Sequence, residues 1–198
     1  MIHRVFRILV PLAALLVAVP AAAQKSSAGA AVSRGKYLVE IMACNDCHTP
    51  LKMGANGPEP DMTRMLAGHP EGMTLPLPPP AAGPWVWSGL ASNTAFAGPW
   101  GISYTANLTP DKNTGLGIWT EEMFLKAMRT GKHMGTSRAI QPPMPWTWIG
   151  KATDADLKAM FAYLKSVPPV SNHVPAYSEP KAADSKSPRP AEAPKKPR

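Results

Sequence analysis

Five residues, Cys44-Asn45-Asp46-Cys47-His48, hold the only two cysteines of this 198-residue chain. Two thiols three positions apart, followed at once by an imidazole, form the attachment signature of a c-type haem. The spacing has a chemical reason: both sulfurs reach vinyl groups on neighbouring pyrroles as thioethers, while the adjacent His48 is held beneath the iron as proximal ligand. A Cys-x-x-Cys pair also serves as a redox dithiol, as half of a zinc site or as a small disulfide. The dithiol reading expects a strand leading into the motif, where a helical pattern precedes it here, and a structural zinc site lacks its second pair. With two cysteines the implied cofactor is one haem c with its iron.

Haem iron takes a sixth ligand opposite the proximal histidine, and that ligand decides the function. Met144 is the preferred candidate, because Pro142-Pro143-Met144-Pro145-Trp146 holds a thioether between prolines on a stiff loop. Of the other ten methionines, Met123, Met128 and Met160 fall on helical faces suited to core filling. Met65, Met73 and Met134 compete from loops, with His69 and His133 as imidazole alternatives. A neutral thioether favours Fe(II) and raises the potential relative to two imidazoles. Apolar cover pushes the same way, because burial disfavours the more highly charged ferric state. Trp85, Trp87, Trp100, Trp146 and Trp148 are candidates for that cover or for plain core packing.

The elements that must position these residues read as helices. Ser33 is a candidate cap for a first helix, on which Tyr37, Leu38, Ile41 and Met42 recur at helical spacing before Cys44. A second is expected over about 121–130, capped by Thr120, with Glu121 and Glu122 in its first turn and Gly131 as its stop. A third starts at Thr153, with Asp156 completing a capping box, and ends at Pro168-Pro169. No alternating strand pattern is evident. Between them, residues 53–104 hold nine of the 24 prolines, including Pro78-Pro79-Pro80, together with Trp85, Trp87 and Trp100. Proline argues against long regular elements, while three tryptophans bury too much surface for a free loop. The expectation is an ordered, largely irregular insertion.

The first 23 residues read as a signal peptide: Arg4 and Arg7, an apolar run from Ile8 to Val19 and a small-residue end at Ala21-Ala22-Ala23. That run is short of the roughly 20 residues a spanning helix needs, so cleavage is favoured over an uncleaved membrane anchor. Export suits the pentad, because covalent haem attachment in bacteria is completed outside the cytoplasm; the periplasm is the expected location. Residues 24–31 read as a flexible leader and 174–198 as a disordered tail of Pro, Lys, Ala and Ser. The formal charge of +8 falls to +6 without the two arginines of the signal, and half of that lies in the tail. Scattered basic residues without aromatic interleaving argue against nucleic acid as a partner.

Taken in order, Arg34-Gly35-Lys36-Tyr37-Leu38, the pentad, Asn107-Leu108-Thr109-Pro110-Asp111, Arg129-Thr130-Gly131-Lys132, Pro143-Met144-Pro145-Trp146 and Ala162-Tyr163-Leu164-Lys165 resemble the class I c-type cytochromes of bacteria. The set looks most like the haem domains in cytochrome subunits of membrane-associated alcohol and aldehyde dehydrogenases, and it covers roughly residues 32–172. The resemblance implies an all-α fold with three or more helices around a covalent haem, occupying residues 32–173 here. It also implies first and last helices that cross with Gly35 against Tyr163, and His48 and Met144 as the axial pair.

The function expected is one-electron transport by a periplasmic cytochrome, with no enzymatic activity of its own. Its partner would be a redox protein, either a dehydrogenase or a terminal oxidase or cytochrome complex, and peripheral membrane association is compatible with this. The alternatives are a haem subunit of a membrane-associated dehydrogenase complex, or a single-haem ligand-binding sensor or enzyme with an open sixth position.

Overall fold

A computed structural model describes residues 21–73, 75, 76 and 86–179. Most of the expected signal peptide, the run Pro78-Pro79-Pro80, Trp85 and the tail beyond Glu179 lie outside the described residues. Five α-helices occur among those described: α1 (Ala21–Ile41), α2 (Cys44–His48), α3 (Glu121–Thr130), α4 (Trp146–Ile149) and α5 (Asp154–Ser166).

Helices α3 and α5 keep the bounds that their capping residues predict. Thr120 accepts a hydrogen bond from the Met123 amide, and Gly131 closes α3 at φ 65°, a left-handed conformation natural to glycine. The Thr153 hydroxyl oxygen accepts from the Asp156 amide at 3.1 Å. Helix α1 is longer than expected: residues 24–31 are helical, and Ser33 lies inside the helix instead of capping it. Several alanines in 21–32 are strong helix formers, so the helix extends upstream of the polar cap signal.

Helices α1, α3 and α5 share one core. Leu38 and Val39 of α1, Phe124, Ala127 and Met128 of α3, and Leu157, Met160, Phe161 and Leu164 of α5 are all buried together. Phe124 and Phe161 pack with ring centroids 5.4 Å apart. Of the residues that recur at helical spacing on α1, Leu38 is buried, while Tyr37 and Ile41 are exposed. The crossing of α1 and α5 is intimate at Gly35, where an added Cβ would overlap the Ala159 carbonyl oxygen and stand 2.8 Å from Tyr163 Cβ. Arg34 and Asp156 form an ion pair across the same crossing at 3.0 Å.

The all-α expectation needs correction, because the insertion contains strands. Strands β1 (Leu51–Gly54) and β2 (Gly57–Pro60) form a hairpin with Gly54 opposite Gly57. Strands β3 (Ser88–Gly89), β4 (Ala95–Gly98) and β5 (Gly101–Tyr104) form an antiparallel sheet in that order. Their short, Gly- and Pro-rich segments carry little apolar alternation, so period alone does not announce them. The Asn56-Gly57 dipeptide is a hairpin turn signal, although the observed loop is Ala55-Asn56, one position earlier, with Gly57 already paired in β2.

The chain does not leave the body at residue 174. Ser178 pairs with Ile102 through two backbone hydrogen bonds of 2.9 and 3.0 Å, adding an antiparallel bridge to the free edge of β5. An unpaired edge offers donors and acceptors that the last described residues satisfy.

Candidate functional site

The pentad forms the short helix α2, so Cys44 and Cys47, three apart, lie on one side of a single turn with His48 directly after. Ala43, at φ 57°, breaks the path between α1 and α2 and sets the turn at an angle to the helix that delivers it. Behind the turn, Thr49 is fully buried; its hydroxyl donates to Asn45 Oδ1 at 2.8 Å and accepts from the Leu66 amide at 2.9 Å.

His48 is buried, with Nδ1 2.7 Å from the Ala106 carbonyl oxygen. A carbonyl accepts, so Nδ1 carries the proton and Nε2 is left as the free lone pair. Burial holds the imidazole below its ordinary pKa, against the opposing pull of the Ala106 carbonyl, so the ring is neutral at neutral pH. Burial pushes the Cys44 thiol up to about 11, and burial followed by the nearby Asp46 raises Cys47. The two sulfurs are not joined to each other. Among the described residues no group of three or more His, Cys, Asp and Glu is placed to hold a metal ion.

Cys47 and His48 line a cavity of about 540 Å³, and Met144 lines the same cavity. Phe96, Leu108, Leu116, Trp119 and Ile140 supply apolar wall. The Met144 loop is tied to the insertion, because the Ser103 hydroxyl of β5 donates to the Pro142 carbonyl at 2.6 Å. Beyond the methionine, Trp146 packs so closely against Gly131 that an added Cβ there would run into its ring. The loop is therefore held from both sides.

All the rival ligands but His133 separate from Met144 by position. His69 is fully buried away from this cavity, with Nε2 2.7 Å from the Met73 carbonyl and Nδ1 2.9 Å from Thr94 Oγ1, so both nitrogens are engaged. Met65, Met73 and Met134 do not line the cavity, whereas Met128 of α3 and His133 do. His133 stacks edge-on against Trp119 at 5.0 Å. Of the tryptophans expected as cover, Trp87, Trp100, Trp146 and Trp148 are not on the wall, and Trp148 is 70 % exposed beneath Lys151. The wall tryptophan is Trp119, which sits between the Gly-rich turn and the Thr120 cap and carries no distinguishing motif of its own.

Sequence reasoning also missed Asn172, a fully buried hub. Its Nδ2 donates to the carbonyls of Ala67 and His69 at 2.6 and 2.8 Å, and its Oδ1 accepts from Arg64 Nη2 and the Glu71 amide. A lone asparagine in a polar stretch gives no local sign of such a role. Asn107 does the same for the loop after β5, donating to Thr114 Oγ1 and to the Val170 carbonyl.

A free imidazole lone pair backed by a carbonyl, a thioether on the same cavity, a thiol beside them and an apolar lining form a donor set suited to a covalently attached iron porphyrin. The class so defined is a haem-binding domain of the c type. Residues 32–168 match the family model described as cytochrome c, and the chain belongs to that family; its cofactor is haem c. It is 30 % identical over 145 residues to the fructose dehydrogenase cytochrome subunit of Gluconobacter japonicus, covering 73 % of this chain and 22 % of that protein. It is 28 % identical over 154 residues to the cytochrome c subunit of the quinone alcohol dehydrogenase of Gluconobacter oxydans, covering 76 % and 25 %. A similar match, 29 % over 143 residues, joins 72 % of the chain to 24 % of the gluconate 2-dehydrogenase cytochrome c subunit of Pantoea cypripedii. The chain spans about a quarter or less of the length of these relatives.

Proposed function

We propose that this chain carries electrons one at a time on a single covalent haem c, with thioethers to Cys44 and Cys47 and with His48 and Met144 as axial ligands. The observation that carries this reading is the shared cavity, lined by Cys47, His48 and Met144 and by none of Met65, Met73, Met134 or His69; His133 and Met128 line it too, and Met144 is preferred to them for its place between prolines on a stiff loop. When bound, the haem supplies a reversible ferric–ferrous couple.

The chain's own residues tune that couple. The Ala106 carbonyl fixes the His48 tautomer and orientation and raises the basicity of Nε2. The Met144 thioether adds no charge and so favours the reduced state. Phe96, Leu108, Leu116, Trp119 and Ile140 present apolar surface, which against a bound haem would disfavour the extra positive charge of the oxidised state.

The protein is exported behind a cleaved signal peptide and works in the periplasm; the expected export signal in residues 1–23 and the chemistry of haem attachment support this. Among the described residues no helix is long and apolar enough to cross a membrane. The chain performs no catalysis itself and passes electrons between partner proteins. A second reading, in which it acts as the haem subunit of a dehydrogenase complex, is favoured by the relatives' names, which include cytochrome subunits of fructose and alcohol dehydrogenases. Reduced and oxidised spectra of the exported protein, with a potentiometric titration, test the carrier reading. A single reversible one-electron wave from a low-spin haem is expected, and a high-spin ferrous form that binds carbon monoxide rapidly would overturn it. Stable co-purification with a dehydrogenase selects the second reading over a free carrier.

A further inference from the structure

Residues 173–178 run across one side of the cavity that holds His48 and Met144. The segment is tied at both ends. At its start Asn172 is fully buried and its side chain is bonded to Arg64, Ala67, His69 and Glu71. At its end Ser178 exchanges two backbone hydrogen bonds with Ile102 of β5, and the Tyr177 hydroxyl donates to the Trp100 carbonyl in the turn between β4 and β5. Between the ties, His173, Val174, Pro175, Ala176 and Tyr177 all line the cavity. Pro175 lacks a backbone donor, which suits a segment bridging a crevice with no strand beside it.

We propose that this C-terminal strap is a fixed wall of the haem crevice, and that Tyr177 is the positioning residue that holds it shut against water and small ligands. The inference rests on the haem reading given above. Its physical content is that a strap secured by two backbone bonds and one hydroxyl opens rarely, so a haem held by His48 and Met144 would meet little solvent. Removing the strap leaves the thioether and axial residues in place while admitting water to the apolar lining, and solvent stabilises the oxidised state.

The test compares the exported full-length protein with a chain ending after Glu179, a chain ending after Asn172, Tyr177→Phe and Tyr177→Ala. Covalent haem content, midpoint potential, thermal stability and the rate of carbon monoxide binding to the ferrous form are measured for each. The chain ending at Glu179 should match the full protein. The chain ending at Asn172 and Tyr177→Ala should keep covalent haem, show a lower potential and bind carbon monoxide about tenfold faster, as for an opening made about 1.4 kcal/mol easier. Tyr177→Phe, which keeps the ring and loses the anchor, should fall between. Should the shorter chain fail to accumulate, the two Tyr177 variants decide. Potential and ligand rate unchanged in Tyr177→Ala would overturn the strap as a wall, as would equal effects from ending at Glu179. Covalent haem absent from the full-length protein would instead sink the haem reading itself.

Discussion

The two ring nitrogens of His48 are in different states, and in the proposed reading this makes the pentad more than an attachment tag. The proton on Nδ1 is committed to the Ala106 carbonyl at 2.7 Å, which leaves the other nitrogen with a single direction to face. Changing Cys44 and Cys47 together to Ala should abolish covalent haem, read as loss of colour from the protein pellet after acid-acetone extraction. Met144→Ala should lower the midpoint potential and remove an iron–sulfur charge-transfer band from the oxidised spectrum; an unchanged spectrum would move the ligand to Met128 or His133. A second imidazole, His69, is a structural residue with a pH signature. Burial lowers its pKa below the ordinary 6.5, against the pull of the Met73 carbonyl. The fold therefore favours the neutral ring, and the unfolded chain takes up the proton first as pH falls. The groups facing it are Thr94, the Met73 carbonyl and the Tyr104 ring, and among the described residues no carboxylate is bonded to it to offset the cost of charging. Its contribution is complete above about pH 6.5 and is lost as pH drops through the depressed folded value. Denaturant melts at pH 7.5 and 5.5 should differ more for the natural protein than for His69→Gln.

At the scale of elements, the crossing of α1 and α5 sets the position of the pentad, because α1 runs directly into it. Gly35 is required there by contact: an added Cβ would collide with the Ala159 carbonyl, a backbone atom that cannot step aside without moving α5. Gly35→Ala should cost about 3 kcal/mol or more in denaturant unfolding, the upper range for overpacking a tight contact. Thr120→Ala removes the cap that receives the Met123 amide and should cost about 1 kcal/mol. Helices α3 and α5 were legible because their caps, apolar period and stops agree within one short segment. The strands were not, since Gly57-Pro58-Glu59-Pro60 and Ser88-Gly89 have neither alternation nor strand-forming composition. They exist because partners across a turn or a sheet complete their hydrogen bonds.

At the scale of the molecule, the insertion and residues 173–177 line the same cavity as His48 and Met144. Ser103 holds the Met144 loop from the insertion side, and residues 173–177 wall the crevice from the other end of the chain. By itself the sequence pointed to the pentad ending in His48 and to a preferred methionine, and it predicted two of the helices and their caps, because each is a local pattern of a few residues. Only the tertiary structure decided which histidines and methionines share a cavity, that Trp119 lines it while Trp148 faces water, and that residues 173–177 run along it. Those outcomes depend on contacts between residues more than 100 positions apart, such as the bond from Asn172 to the Ala67 carbonyl, 105 positions away. Local spacing carries no record of such pairs, since burial and hydrogen bonding are settled when distant segments meet.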